Sequence, residues 1–216
     1  MGPFTGDGRY LMDHFATVPT GIGGRQVKSI KEIMRASAEL NAEGVHIGGS
    51  DRESNHSYGD AYESLFPDRS AIKLVMEVGV ADGSCLLAWR DIFPNALIVG
   101  MDIHPSDKAH GERIEFHIGD QRSKDDCERA AAGRQFDLIV DDATHLIVDT
   151  LLTLYWLWPS VRPGGLYVVE EWPSPDPARI TTLWPQVEII NTVGPFGGVE
   201  PLVIFRKSYT GKWVAD

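Results

Sequence analysis

Apolar positions between residues 73 and 171 fall into short runs, and segments with helical periodicity separate these runs. Short apolar runs bounded by turn residues are typical of strands that are buried on both faces of a sheet. The runs predict strands at 73–80, 96–103, 113–120, 136–142 and 164–171. The helical segments lie at 84–93, at about 124–132 and at 147–158. Strands that alternate with helices predict right-handed crossovers and a parallel sheet.

Both ends of the chain depart from this alternation. Residues 26–40 carry apolar side chains at helical spacing, which predicts an amphipathic helix. The stretch 43–60 is polar and rich in glycine and serine. Near the C-terminus, the apolar runs 187–193 and 201–207 are separated by a Gly/Pro loop that is too short for a helix. This last pair is therefore predicted to be antiparallel.

Composition and charge narrow the class of protein. A chain of 216 residues with 43% hydrophobic residues is expected to form one domain with a full core. It has no apolar stretch near the roughly 20 residues of a membrane span and no secretory signal pattern, so we expect a soluble, cytoplasmic protein. Cys85 and Cys127 fall in predicted helices without C-x-x-C spacing, which argues against a disulfide framework. The net charge of -11 argues against nucleic acid as a partner.

Polar residues stand at the ends of three consecutive predicted strands. The first strand runs into the glycine-containing turn EVGVADG, and Asp102 ends the second strand. Glycines allow close approach of a ligand, and a carboxylate at the second strand's tip is placed to accept hydrogen bonds from ribose hydroxyls. Gly79 and Gly83 lack the spacing of the dinucleotide fingerprint. A glycine after a strand is as often only a turn, but Asp120 at the third strand's end is a further acceptor, suited to an adenine amino group.

These motifs, taken in order, resemble a known family. The segments EVGVADGSCLLAW, FPNALIVGMDI, GDQ, FDLIVDDATH and PGGLYVVEEW are similar to class I S-adenosylmethionine-dependent methyltransferases. More narrowly, they resemble metal-dependent sugar O-methyltransferases that act on macrolide deoxysugars or on sugars of methylated polysaccharides. The upstream segment SDRESNHSYGDAYESLF resembles the same subgroup, so the similarity covers roughly residues 50–172. The family's D-D-G-S-H is D-D-A-T-H here, and its Glu-Asp pair is Glu170-Glu171; both changes keep the charge.

The resemblance implies the fold. It is a three-layer α/β/α, Rossmann-like arrangement with a mostly parallel seven-stranded sheet and a C-terminal antiparallel hairpin. Residues 1–216 would form one methyltransferase domain, with 1–70 as an N-terminal helical or lid segment and 71–207 as the catalytic core. In the family the segment that holds His56 and Tyr58 closes over the cofactor. The alternative is an ordered surface loop in which Tyr62 and Phe66 pack inward at helical spacing.

The resemblance also implies ligand-binding residues. Glu77 and Gly79 would line the methionine portion of S-adenosylmethionine, Asp102 the ribose, and Asp120 with Gln121 the adenine, while Asp141 would lie near the reactive methyl group. Tyr58 would contact the cofactor from the lid segment. In the family's sheet order the fourth and fifth strands are neighbours, so Asp142 would lie beside Glu170 and Glu171.

Three carboxylates at one sheet edge repel one another unless a cation is present. All-oxygen ligands select a hard divalent ion, Mg²⁺ or Mn²⁺, over zinc or copper. We therefore predict a metal site at Asp142, Glu170 and Glu171. The alternative is structural: Asp142 caps the next helix, and the two glutamates are solvated loop residues.

His145 is the candidate general base. It follows Asp142 by three residues, so a helical turn would place both on one face. An imidazole with a pKa of about 6.5 is too weak to deprotonate a sugar hydroxyl alone, but a divalent ion lowers the pKa of a bound oxygen. The hypothesis is that two sugar hydroxyls chelate the ion and His145 takes the proton from one of them. A structural, hydrogen-bonded histidine is the alternative.

The predicted function is Mg²⁺-dependent sugar O-methylation. The acceptor would be an oligosaccharide such as a mannoside or glucoside in polysaccharide biosynthesis, or a natural-product sugar. The length of the chain favours the polysaccharide, because some antibiotic relatives carry a large N-terminal domain. A nicotinamide-dependent oxidoreductase and an inactive methyltransferase-like binding module remain as alternatives. We expect no nucleic acid or membrane partner, and the apolar stripe of the N-terminal helix is suited to packing in a homo-oligomer.

Overall fold

The computed structural model describes residues 27–42, 44, 46–172, 177–195 and 197–209. Its strands are β1 (Ala38–Leu40), β2 (His46–Gly49), β3 (Leu74–Val78), β4 (Leu97–Asp102), β5 (Ile114–Ile118), β6 (Phe136–Asp141), β7 (Val161–Val169), β8 (Glu188–Val193) and β9 (Val199–Arg206). Its α-helices are α1 (Ile30–Ala36), α2 (Gly59–Leu65), α3 (Ser84–Ile92), α4 (Lys124–Ala131), α5 (Ile147–Leu157) and α6 (Ile180–Leu183).

Seven of these strands form one sheet in the order β5-β4-β3-β6-β7-β9-β8. Five neighbouring strands of this sheet are mutually parallel: β5, β4, β3, β6 and β7. By contrast, β9 is antiparallel to both β7 and β8. The predicted α/β fold, with its mostly parallel sheet and its C-terminal antiparallel pair, is confirmed. The central position of β6 explains its largely apolar character, because every residue of that strand is buried, Asp137 and Asp141 included.

Helices cover both faces of the sheet and create two core layers. Successive residues of β3 serve opposite layers, as the alternation of side chains along a strand requires. Val75 packs in the layer that contains Trp89 of α3 and Tyr62 of α2. Met76 packs in the layer that contains Cys127 of α4 and Leu157 of α5. The result is the expected three-layer arrangement, with the carboxyl ends of the parallel strands left at one edge.

The N-terminal segment departs from the prediction. The uninterrupted helix expected over 26–40 is wrong, since α1 covers only Ile30–Ala36. Ser29 caps its start and forms a capping box with Glu32. The chain then forms a short antiparallel hairpin, in which β1 occupies the end of the predicted helix and β2 lies in the stretch that the sequence marks only as polar.

The state of the two cysteines and the length of the helices bear on two further expectations. Cys85 and Cys127 lie on α3 and α4, in the segments predicted to be helical, and both are free and buried. Among the described residues, no helix combines the length and the apolar character needed to cross a bilayer. The division into 1–70 and 71–207 stays a prediction, since residues 1–26 lie outside the described part of the chain.

Candidate active site

A cavity of about 290 Å³ opens at the carboxyl ends of β3, β4, β5 and β6. It lies where ligands bind in open α/β sheets. Five of the residues proposed from the sequence line it: Gly79, Asp102, Asp120, Gln121 and Asp142. The opposite side is formed by Gly49, Ser50, Asp51 and Arg52, which follow or end the β1–β2 hairpin. The N-terminal segment therefore contributes to the cavity wall, and the lid expected from the resemblance stays a prediction.

Gly79 brings the turn after β3 against the turn after β6. Its φ of +85° lies in the left-handed region that favours glycine. A Cβ at this position would lie 2.2 Å from the carbonyl oxygen of Asp142. The Asp142 amide in turn donates to the carbonyl of Val78 at 2.9 Å. Glycine at position 79 is therefore required for the two turns to meet.

Asp102 braces the same turn. Its Oδ2 accepts hydrogen bonds from the amides of Val80 at 2.8 Å and Ala81 at 3.0 Å, and its Oδ1 accepts from the amide of His104 at 2.9 Å. Asp102 thus shapes the turn through its carboxylate and also belongs to the residues that line the cavity.

Asp120 and Gln121 form the far wall. Asp120 pairs with Arg122 through two guanidinium contacts, at 2.9 Å to Nε and 2.8 Å to Nη2, and these hydrogen bonds lower the pKa of Asp120. The Gln121 side chain donates to Thr153 Oγ1 at 3.1 Å and accepts from the Thr144 amide at 3.1 Å. Gln121 thus connects the cavity wall to the turn after β6.

Asp142, His145 and Glu171 form a compact cluster beside the cavity. His145 Nε2 lies 3.2 Å from Asp142 Oδ1, and His145 Nδ1 lies 3.3 Å from Glu171 Oε2. The ligand atoms of the three residues lie within 4.8 Å of one another. Two carboxylates and an imidazole at this separation fit a divalent ion. The hydrogen bond to Asp142 raises the pKa of His145, against the effect of its burial.

The backbone at this cluster is strained. His145 has a φ of 52° and Glu171 a φ of 47°, a region that non-glycine residues rarely adopt. Such conformations persist where the surrounding structure enforces them, and they are frequent at functional sites.

Glu171 also contacts a second imidazole. His56 Nε2 lies 3.1 Å from Glu171 Oε1 and 3.2 Å from Asp51 Oδ2, and its ring stacks on Tyr58 with 5.2 Å between centroids. Burial lowers the pKa of His56, but Asp51 and Glu171 outweigh it and raise that pKa to about 9. The Tyr58 hydroxyl lies 3.4 Å from the Glu171 amide, which donates to it.

Glu170 is placed differently from the expectation, outside the cluster that Asp142, His145 and Glu171 form. Its side chain is 1% exposed and points into the interior. Its Oε1 accepts from Arg52 Nε at 2.8 Å and from the Tyr62 hydroxyl at 2.5 Å. Burial raises the pKa of Glu170, and Arg52 opposes that effect. The physical reason for the placement is that Arg52 supplies the positive charge that this carboxylate needs.

Three expected cofactor residues, Glu77, Tyr58 and Asp141, are outside the described lining of the cavity. Glu77 is fully buried and forms an ion pair with Arg52. Asp141 accepts from the Tyr167 hydroxyl at 2.9 Å, and burial raises the pKa of Asp141 to about 7. The structure therefore gives Glu77 and Asp141 interior partners and gives Tyr58 a contact with Glu171.

Arg52 is the residue that the sequence reasoning missed. It lies in the lid segment, lines the cavity, and bridges Glu77, Asp142 and Glu170. One signal was available: the predicted carboxylates require a cation, and Arg52 is a basic residue in the upstream segment that resembles the same subgroup.

Comparison with known proteins confirms the resemblance to sugar O-methyltransferases. The 8-demethyl-8-alpha-L-rhamnosyl tetracenomycin-C 2'-O-methyltransferase of Streptomyces olivaceus is 32% identical over 140 residues, which are 58% of this chain and 37% of that protein. The mycinamicin VI 2''-O-methyltransferase of Micromonospora griseorubida is 33% identical over 135 residues, 55% of this chain and 33% of that protein. No protein-family model matches the chain.

A solved structure agrees with the fold. The MycE methyltransferase of the mycinamycin biosynthetic pathway, in complex with Mg and SAH, superposes with a TM-score of 0.51 at 31% identity. The match covers 60% of this chain and 34% of that chain. The chain thus spans about a third of the length of these relatives. The names of the two relatives specify natural-product glycosides, so they lend no support to the expected polysaccharide acceptor.

Proposed function

We propose that this chain transfers the methyl group of S-adenosylmethionine to a hydroxyl of a sugar carried by a natural product, with the help of a divalent ion. One observation carries the proposal: Asp142 belongs both to the cavity at the strand ends and to the cluster with His145 and Glu171. A cofactor space and a candidate metal site therefore share a wall. The relatives, whose names describe sugar O-methylation, support the same reaction class.

The cavity residues suit a nucleoside with a cationic sulfonium group. Asp102 would accept from the ribose hydroxyls, and Asp120 with Gln121 would face the adenine. The turn at Gly79 borders the cavity and would lie beside the methionine portion. Glu77 and Asp141 would act from behind this wall through Arg52 and Tyr167, which contact them.

Asp142 and Glu171 would hold the divalent ion. Their carboxylates are the hard oxygen donors that Mg²⁺ and Mn²⁺ prefer. When bound, such an ion lowers the pKa of coordinated hydroxyls and orients the acceptor. Glu170 would join only by giving up its contacts with Arg52 and Tyr62, and it is therefore the weakest of the three predicted ligands.

His145 would accept the acceptor's proton at Nε2. This nitrogen faces Asp142, which lines the cavity, while Nδ1 faces Glu171. In the structure Nε2 lies within hydrogen-bond distance of Asp142 Oδ1, so Nε2 would be free to receive a proton only when the divalent ion takes that oxygen. A hydrogen bond from Nδ1–H to the Glu171 carboxylate would then fix the required tautomer.

An exposed apolar segment supports an acceptor with an apolar aglycone. Leu146, Ile147 and Val148 directly follow His145 and are 60%, 38% and 63% exposed. An apolar aglycone would cover such a surface, whereas a hydrophilic oligosaccharide would leave it in water.

Two alternatives are less well supported. A nicotinamide enzyme would need no acidic cluster after β6 and β7, and Gly79 and Gly83 lack the dinucleotide spacing. An inactive binding module would have no reason to retain His145 in contact with both Asp142 and Glu171.

Calorimetric titration separates these possibilities. We expect S-adenosylmethionine to bind with a micromolar dissociation constant and NAD to show no heat of binding. Tight binding of NAD with no binding of S-adenosylmethionine would overturn the proposal. Binding of S-adenosylmethionine without methyl transfer to any glycoside would favour the inactive module.

A further inference from the structure

Arg52 has an unusual environment for a residue that borders a ligand cavity. Its side chain is 3% exposed, and its guanidinium stacks over the Trp89 ring at 5.2 Å. Three carboxylates surround it: Glu170 at 2.8 Å from Nε, Asp142 at 2.9 Å from Nη2, and Glu77, also at Nη2. One positive charge thus faces three acidic side chains from three different strand ends.

The three contacts tie distant parts of the chain together. Arg52 belongs to the lid segment, Glu77 to β3, Asp142 to the turn after β6 and Glu170 to the end of β7. Buried carboxylates are costly without a compensating charge, and the loss of one partner leaves the other groups uncompensated. Arg52 is therefore the internal counter-ion of the acidic site.

Asp142 shows how the guanidinium and a metal ion would share the site. Its Oδ2 accepts from Arg52, while its Oδ1 faces His145 on the side of the candidate metal cluster. One carboxylate thus presents one oxygen to the buried cation and the other to the position of the ion.

We propose that Arg52 is a positioning residue that holds Asp142 and Glu170 in place before the divalent ion binds, and that it competes electrostatically with that ion. The inference rests on the proposed function only in placing the ion at Asp142 and Glu171. The guanidinium stabilises the metal-free site and, as a neighbouring positive charge, lowers the affinity for the ion.

The test is Mn²⁺ binding and thermal unfolding of the metal-free protein, without cofactor or acceptor. Electron paramagnetic resonance measures free Mn²⁺ during titration. We expect Arg52→Met to raise the affinity for Mn²⁺ about tenfold, because a nearby positive charge is gone. In the absence of metal, Arg52→Met should lower Tm by roughly 6 to 20 °C. Saturating Mn²⁺ should then raise the Tm of the variant more than it raises the Tm of the wild type.

Two further variants keep the experiment decisive. Arg206→Met removes a half-exposed arginine that pairs with Glu188, and it should change neither the Mn²⁺ affinity nor Tm appreciably. The double variant Arg52→Met/Glu170→Gln removes a buried charge of each sign. It should recover part of the lost Tm, because Glu170 no longer needs a counter-ion whereas Glu77 and Asp142 still do.

The outcomes separate the two proposals. If the wild type binds no Mn²⁺, the metal part of the proposed function fails, and rescue of Tm in the double variant still decides the role of Arg52. If Arg52→Met binds Mn²⁺ no more tightly than the wild type, the proposed competition between Arg52 and the ion is contradicted. If the single variant does not fold, the double variant is used for this comparison. Absence of any rescue in the double variant would overturn the counter-ion role.

Discussion

Gly79 and Asp142 lie in direct backbone contact, such that a Cβ on Gly79 would be 2.2 Å from the Asp142 carbonyl oxygen. The contact joins the turn that borders the proposed cofactor space to the turn that carries the candidate metal ligand and base. The two parts of the site therefore depend on one glycine.

Replacement of Gly79 by alanine should damage both stability and cofactor binding. The variant meets an unfavourable φ and a backbone collision, and we expect a loss of roughly 3 kcal/mol or more in the free energy of unfolding. Gly133→Ala is the matched control, because Gly133 has a φ of +66° but nothing within 4 Å of its Cβ position. That control should lose about 1 kcal/mol and bind S-adenosylhomocysteine normally. Equal losses in both variants, measured by urea unfolding, would contradict the role of the contact.

Substitutions at His145 and Asp142 should distinguish the general base from the metal ligand. His145→Ala should lower kcat by roughly 10² to 10⁴-fold, the range for loss of a general base, and leave Mn²⁺ binding within a few-fold of the wild type. Asp142→Asn should instead weaken Mn²⁺ binding strongly. His110→Ala, at an exposed position, serves as the control for histidine removal. If His145→Ala retains most of kcat, another group is the base; if it abolishes Mn²⁺ binding, His145 is a ligand.

The buried carboxyl of Asp141 predicts a pH-dependent stability difference. Burial raises its pKa to about 7, so the metal-free folded protein holds a proton there that the unfolded chain has lost. The stability from this proton is complete below about pH 4 and is lost as pH rises towards 7. Asp141→Asn lacks the titration and keeps an acceptor for Tyr167. Relative to the wild type, its free energy of unfolding should improve by up to roughly 4 kcal/mol between pH 4 and pH 8.

The matched control for this experiment is Asp107→Asn, at an exposed position. Its stability relative to the wild type should stay nearly constant over the same pH range. A constant difference for Asp141→Asn as well would show that Asp141 titrates normally in the folded protein.

The sheet could be predicted because its inner strands are buried on both faces. Leu74–Val78, Leu97–Asp102 and Phe136–Asp141 appear as largely apolar runs, and each is a strand at nearly the predicted bounds. The β1–β2 hairpin has no such signal. Its strands are three and four residues long and only partly buried, so β1 was indistinguishable from the end of a helix.

Site residues at the ends of neighbouring strands could be predicted from the sequence. A site residue whose partners are distant in sequence could not be predicted. Asp142 and Glu171 meet because parallel neighbours β6 and β7 end together. Arg52 contacts Glu170 across 118 positions of sequence and Asp142 across 90, and such pairs leave no local pattern. The clustered acids require a cation, but only the folded chain shows that Arg52 supplies one beside the candidate metal cluster.

Transfer of a labelled methyl group from S-adenosylmethionine to a panel of rhamnosides and other glycosides tests the central claim most directly. The assay is run with Mg²⁺, with a chelator, and with the chelator followed by excess Mg²⁺. We expect a sugar hydroxyl of at least one glycoside with an apolar aglycone to be labelled, the labelling to stop with chelator, and Mg²⁺ to restore it. Labelling that persists undiminished in chelator, or an S-adenosylmethionine-binding protein that labels no sugar hydroxyl in the panel, would contradict the account.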